Sequence, residues 1–311
     1  RDYYASRGLG DVYKRQYNNT KTMNYSILIN TCDKFEDCWN PFFKLWSIYW
    51  PNCNAPIYLN TEYKSYSYSG LNIIPVKGCQ THHIPQTKRI TWSQCLKWAL
   101  EKIDTDIILY MQEDYFLKDM VKNEIVEQYV KLMHECPSIQ CIHLTDQAAI
   151  ADKQSTYGNN LKKVNYKQRY RVSCQAALWR KEELLTIIRE YENAWEFEEF
   201  GSQRSAIIKH EYLAVDNNWV QLDKFEIIPY IFTGIIQGRW YEKVVSLFEK
   251  HNININYNIR GFISSAPRKS IKKRIKYRLN KFPKIFRNYI ELYRFCLLYT
   301  SDAADDTPCV D

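Results

Sequence analysis

The run DIILYM at residues 106–111, followed at once by Gln112, Glu113, Asp114 and Tyr115, constrains this chain more than any other feature. It is continuously apolar but far shorter than the roughly 20 residues that cross a bilayer, so it fits a strand covered on both faces at the centre of a largely parallel sheet. Just before it, residues 92–103 place Cys95, Leu96, Ala99, Leu100 and Ile103 at helical spacing. Short apolar runs also occur at residues 25–30, 55–60 and 71–76, with Pro75 marking a strand end or edge. Between the first two, Phe42, Phe43, Leu45, Trp46, Tyr49 and Trp50 supply the apolar side of a helix.

Further on, the pattern predicts a helix over 120–136, a strand over 139–144, a long polar loop over 145–171 and a strand over 172–179. A helix over 181–191, an acidic segment, a helix with Arg204 and a last strand near 225–232 complete it. The expected fold class is α/β, a mainly parallel sheet flanked by helices, in one domain over residues 23–266.

Composition narrows the class. The chain has 311 residues, 45% of them hydrophobic and 15% aromatic, enough for a full core. Its ten cysteines are scattered without a Cys-x-x-Cys pair, which reads as buried thiols rather than a disulfide scaffold. Residues 1–16 and 297–311 resemble translated sequencing-adapter sequence, so residues 1–22 and 297–311 are expected to be non-native tails, with a natural start at Met23 and an end near Cys296. Eleven bases against one acid, Glu291, lie between Pro267 and Arg294, whereas residues 23–266 are close to neutral. A basic surface for nucleic acid therefore does not describe the body, and no nucleic-acid partner is expected.

Glu113 and Asp114 sit at the carboxyl end of the central strand, where open α/β sheets bind ligands. Adjacent carboxylates repel there unless a donor or cation compensates. Mg²⁺ or Mn²⁺ held by Asp114 beneath a nucleotide diphosphate is one reading, and capping of the following segment is the other. The second concentrated signal is WEFEEFGSQR at residues 195–204. A carboxylate beside aromatic rings has its pKa raised and suits removal of a proton from an acceptor hydroxyl, with Glu198 favoured, then Glu196 and Glu199. Arg204 pairs with such an acid or with phosphate, and a solvated acidic helix start is the plain alternative. His82, His83, Lys88 and Arg89 are further candidates to reach a diphosphate, with an ordinary exposed loop as the alternative, and Gly238, Arg239 and Trp240 form a candidate flap over the nucleotide; Gly234 and Gly238 also read as turns.

The succession SILINTCDKF, APIYLNTE, TWSQCLKWAL, DIILYMQEDYFL, CQAALW and WEFEEFGSQRS resembles bacterial GT-A-type glycosyltransferases of surface-polysaccharide synthesis, over most of residues 25–245. The resemblance implies a Rossmann-like fold that binds a nucleotide-sugar over the first strands, with Gln112-Glu113-Asp114 in the place of an Asp-x-Asp metal motif. Gln112 stands where the first Asp would be, leaving Asp114 as the best-matched ligand. Thr31, Cys32 and Asp33 match the region that contacts base and ribose, although Asp33 also reads as a helix N-cap. The acidic motif implies transfer with inversion and a base drawn from its acids. The rival readings are a non-catalytic RNA- or lipid-binding protein of the same fold and a nucleotidyltransferase.

In residues 267–296, Ile271, Ile275, Leu279 and Phe282, then Ile285, Phe286, Tyr289, Ile290 and Tyr293, recur at helical spacing among the bases. This basic amphipathic helical appendage either lies on an anionic membrane or docks its apolar face on the body. The first reading places the chain in the cytoplasm, peripheral at the inner face of the plasma membrane, acting on a glycan or lipid-linked acceptor.

Overall fold

The computed structural model describes residues 24–265 and 271–305, and an eight-stranded sheet runs through the first span. Its strands are β1 (Tyr25–Asn30), β2 (Ile57–Asn60), β3 (Ile73–Pro75), β4 (Ile107–Gln112), β5 (Ile139–His143), β6 (Leu161–Lys163), β7 (Ala177–Arg180) and β8 (Glu211–Val215). Their spatial order is β3-β2-β1-β4-β7-β5-β8-β6. Every strand runs in one direction except β6 and β7, which pair antiparallel with their neighbours. The helices are α1 (Glu36–Tyr49), α2 (Gly78–Thr81), α3 (Trp92–Lys102), α4 (Asn123–Glu135), α5 (Lys181–Ile187), α6 (Ala194–Glu196), α7 (Ser202–Ile208), α8 (Lys243–Lys250) and α9 (Ile271–Asp305). A small second sheet joins β9 (Ile235–Ile236), β10 (Arg239–Tyr241) and β11 (Phe262–Ile263).

Strand alternation explains how the sheet is covered. On β4, Ile107, Leu109 and Met111 join a cluster with Trp39, Phe43 and Trp46 of α1 and Val126 and Met133 of α4. Ile108 and Tyr110 face the other way, against Leu96 and Leu100 of α3 and Leu184 and Ile187 of α5. A strand with helices on both faces must be apolar at every position, which is why DIILYM lacks the polar alternation of a one-sided strand. Local signals set the helix starts: the Thr91 hydroxyl accepts from Gln94 N–H at α3, and Asn193 forms a reciprocal capping box with Glu196 at α6.

Several expected boundaries shift. Residues 225–232 form no strand; they lie along residues 116–122 through backbone bonds from Lys118 to Pro229 and from Ile231 to Phe116. Pro229 lacks the N–H that a continuous ladder needs. Residues 172–176 approach the sheet without joining it, and the long loop over 145–171 contains the edge strand β6. The strand β8 carries no alternation strong enough to mark it in the sequence. The helix α9 runs on to Asp305, into residues expected to be a foreign tail without periodicity. Residues 1–22, Met23 and residues 306–311 lie outside the described residues. Among the described residues, no helix is long and apolar enough to cross a membrane.

Candidate functional site

The chain leaves β1 toward β2 and β3 on one side, and later places β4 on the other side of β1. The parallel strands β1 and β4 therefore flank a topological switch point, where diverging connections leave a crevice at the carboxyl ends. Asn30 and Gln112 are register partners there. The side chains beneath the crevice form a polar chain: Asn60 donates to Asn30 at 2.6 Å, and Asn30 and Gln112 both donate to the Tyr110 hydroxyl, at 3.1 and 3.3 Å.

The exit from β4 is acidic and buried. Burial, with Asp114 adding to it, pushes the Glu113 carboxyl well above the usual carboxylate range, and Arg260 pulls it back only in part. Burial also raises Asp114, against hydrogen bonds that hold its charge: Oδ2 accepts from the Thr233 hydroxyl at 2.6 Å and from Ile235 N–H at 3.1 Å. The Asp114 carbonyl accepts from Gly234 N–H at 2.8 Å. A Cβ at Gly234 would lie 2.2 Å from the Phe116 ring, so close packing, more than a turn, requires glycine here. Asp114 thus moors the segment leading into β9, with the Gly234 N–H also helping to hold its charge, while the side-chain hydrogen bonds among the described residues include none to the Glu113 carboxylate from another residue. Two hard oxygen donors in a buried anionic turn fit Mg²⁺ or Mn²⁺, which commonly takes one or two carboxylates and completes its shell with phosphate and water. The one group of three ligand atoms lying within 4.8 Å of one another among the described residues is elsewhere: Glu62, Cys79 and Cys95.

At the exit from β1, Asp33 does not cap its own helical turn. Its carboxylate accepts from the backbone N–H groups of Glu62 and Tyr63, each at 2.9 Å, and Lys64 at 3.2 Å, tying the end of β1 to the end of β2. Glu62 Oε2 returns a bond from Asp33 N–H at 3.2 Å. Thr31 accepts from the Trp39 indole at 2.9 Å, and burial, with Glu113 nearby, pushes the Cys32 thiol up to about 12. Lys88 and Arg89 lie exposed on the following loop, where Arg89 helps hold the Glu62 charge and Tyr63 donates to the Ile84 carbonyl at 2.9 Å. Arg239 is exposed at the start of β10.

The second acidic cluster separates into residues with different partners. Glu196 closes the capping box and pairs with Lys284 at 2.8 Å, and Glu199 pairs with Lys281. Arg204 is fully buried, donating to Glu192 at 2.7 Å, to the Ile187 carbonyl at 2.7 Å and to Asn288 at 3.1 Å. It faces neither Glu198 nor solvent, which corrects the expectation that it reaches phosphate or the catalytic acid. Among the described residues, Glu198 has no ion-pair partner. It lies in a π-helical stretch, Phe197–Gly201, of the kind often found at functional sites, and its Oε1 accepts from Cys174 N–H at 2.8 Å. Burial raises its pKa against that bond and a longer one from Ser173.

Residues not singled out in the sequence join the two regions. The Tyr115 hydroxyl donates to the Cys174 carbonyl at 2.8 Å, while the Cys174 N–H bonds Glu198. Gln175 donates to Tyr115 at 3.0 Å and accepts from Tyr230 at 2.9 Å, and the two tyrosine rings stack with centroids 4.8 Å apart. Tyr115, next to Asp114 in the chain, is thereby linked to Glu198 through the Cys174 peptide. A groove of about 400 Å³ adjoins the second cluster, lined among others by Tyr166, Lys167, Arg169, Tyr170, Glu199 and Ser202.

No family model matches the chain, and no curated protein matches it. Solved structures do. S. aureus TarS (1-349) is 12% identical, with a TM-score of 0.42, over 62% of this chain and 58% of that one. Glucosyl-3-phosphoglycerate synthase from Mycobacterium tuberculosis, in complex with Mn²⁺ and uridine-diphosphate-glucose, is 10% identical with a TM-score of 0.31, over 59% and 64% of the two chains. The bifunctional IspDF from Campylobacter jejuni is 13% identical with a TM-score of 0.35, over 66% and 52%. The chain spans less than two thirds of the length of each.

Proposed function

We propose that this chain is a glycosyltransferase that moves a sugar from a nucleotide-sugar to a glycan or lipid-linked acceptor, with inversion, in bacterial cell-surface polysaccharide synthesis. The observation that carries the reading is the bridge from Asp114 through Tyr115 and Cys174 to Glu198 at the switch point of the sheet. It links the exit of β4, which carries Glu113 and Asp114, to the segment that carries Glu198, and supports reading the first two as ligands of a metal diphosphate and the third as the base.

In this reading the donor lies over the ends of β1 and β4, on the surface formed by Thr31, Cys32 and the Asp33-ordered turn. Glu113 and Asp114 hold Mg²⁺ or Mn²⁺, which when bound neutralises charge on the departing diphosphate. Lys88, Arg89 and Arg239 add positive charge from the exposed loops. Glu198, with a raised pKa and one oxygen steadied by Cys174 N–H, takes the proton of the acceptor hydroxyl as the hydroxyl oxygen attacks the anomeric carbon and the bond to the diphosphate breaks. The groove beside Glu199 offers rings and amides to an acceptor glycan. Residues 23–266 form the transferase domain, and residues 267–296 hold it peripherally at the cytoplasmic face of the plasma membrane.

The test is release of nucleotide from a panel of UDP-, GDP- and CMP-sugars with Mg²⁺ or Mn²⁺. Turnover that Asp114→Ala abolishes supports the proposal. Absence of nucleotide binding favours a non-catalytic binding protein, and pyrophosphate release from a nucleoside triphosphate favours a nucleotidyltransferase.

A further inference from the structure

An amphipathic helix on a protein in water ordinarily docks its apolar face and leaves its polar face to solvent. The helix α9 does the reverse. Its body-facing line is largely ionic and polar: Lys281 pairs with Glu199, Lys284 with Glu196 and Glu291 with Arg189, while buried Asn288 accepts from Arg204 and donates to Gln203. Phe295 is the buried apolar member of that line. At about 100° per residue, Phe286 points roughly 160° away from Asn288. On that outward side Leu279, Phe282, Phe286, Tyr289 and Tyr293 follow at intervals of three and four, with relative exposures of 68%, 67%, 62%, 64% and 67%. Exposed Arg287, which also packs over the Tyr191 ring at 3.7 Å, and Arg294, 3.8 Å from Glu291, flank them, and Glu291, the one acid of the basic stretch, also reaches inward to Arg189.

We propose that this outward face lies in the interface of an anionic bilayer, with the aromatic rings at the boundary between headgroups and acyl chains and the flanking bases against lipid phosphate. Four aromatic side chains in one stripe are not left in water on a helix whose inner face is already occupied. The two tyrosines carry hydroxyls that can remain among the headgroups. The excess of bases commits the face to a negatively charged surface rather than to a neutral apolar partner. The same helix grips the segment carrying Glu198 through the Lys281 and Lys284 ion pairs, so docking fixes the height of the candidate base above the membrane. The proposal deepens the reading of a membrane-side glycosyltransferase and rests on it for its purpose, but lipid binding is measured without turnover.

The experiment is flotation of the full chain with phosphatidylcholine vesicles, with and without about 30% phosphatidylglycerol. Wild type is expected to float with the anionic vesicles and to be released by high salt. The variant F282S/F286S/Y289S/Y293S should partition at least about tenfold more weakly, with an unchanged melting curve because those rings touch little of the body. R287E/R294E should weaken binding to the anionic vesicles alone, which keeps the test informative if the aromatic variant fails to fold. Wild type that stays in the soluble fraction, aromatic variants that float as wild type does, or a lipid-free dimer abolished by the aromatic variant would each overturn the proposal. Lipid binding without nucleotide-sugar turnover would count against the transferase reading alone.

Discussion

The acidic turn after β4 and the acidic segment after α5 look alike in sequence, yet the structure treats them differently. Glu113 and Asp114 are adjacent and buried, with burial raising both pKa values and Arg260 as the opposing charge beside Glu113. In the second cluster, among the described residues, each acid but one has a cation: Lys284 for Glu196, Lys281 for Glu199 and Arg204 for the neighbouring Glu192. Glu198 is the exception. A carboxylate already neutralised by a fixed cation is poorly suited to take a proton, whereas one raised by burial and steadied by a backbone N–H is suited to it. Which charges lack compensation, rather than how many acids a segment holds, picks out the chemistry.

The largest expected effect tests that distinction inside the second cluster. Glu198→Gln should lower turnover by about 10²–10⁴-fold with donor affinity nearly unchanged, whereas Glu196→Gln and Glu199→Gln should cost less than about tenfold. Steady-state kinetics beside donor titration separate these outcomes, and equal losses at all three positions would remove the special role of Glu198. Arg204→Ala sharpens the comparison from the structural side. It leaves Glu192 buried without its cation and should cost about 3–5 kcal/mol of stability in urea unfolding. Arg204→Met with Glu192→Leu should recover much of that loss.

Much of the fold was legible because its signals are local. DIILYM announced the central strand, and the helical spacing over residues 92–103 announced α3. The failures share a different cause. Arg204 read as a phosphate ligand because its partner, Glu192, lies upstream of the motif and Asn288 lies 84 residues away on α9. Tyr115, Cys174, Gln175 and Tyr230 carry no motif, and only the packing of residues 173–176 between β4 and residue 230 brings them together. Tyr115 was adjacent to the acidic pair and Cys174 lay in the CQAALW stretch, which were the available hints.

Smaller effects probe the first cluster. Gly234→Ala would drive a Cβ into the Phe116 ring and should cost about 1–3 kcal/mol, read as a lower midpoint of unfolding. Glu113→Gln should do the opposite in metal-free protein. Because the Glu113 pKa is raised on folding, the folded state binds more protons than the unfolded state between the ordinary glutamate value and the raised one. The corresponding stability is present on the acid side of that window and is lost as pH climbs through it. The glutamine variant should therefore be more stable by about 1 kcal/mol at pH 7 and nearly equal to wild type near pH 4, measured by thermal unfolding at both values. A uniform shift across pH would place the effect in packing instead of charge.

The most direct measurement is a crystal structure with a nucleoside diphosphate-sugar and Mn²⁺. The expected result is a metal about 2 Å from a carboxylate oxygen of Glu113 or Asp114, bridging to the diphosphate, with the sugar ring turned toward Glu198. A donor bound away from β1 and β4, or Asp114 and Glu198 facing no common ligand, would contradict the account.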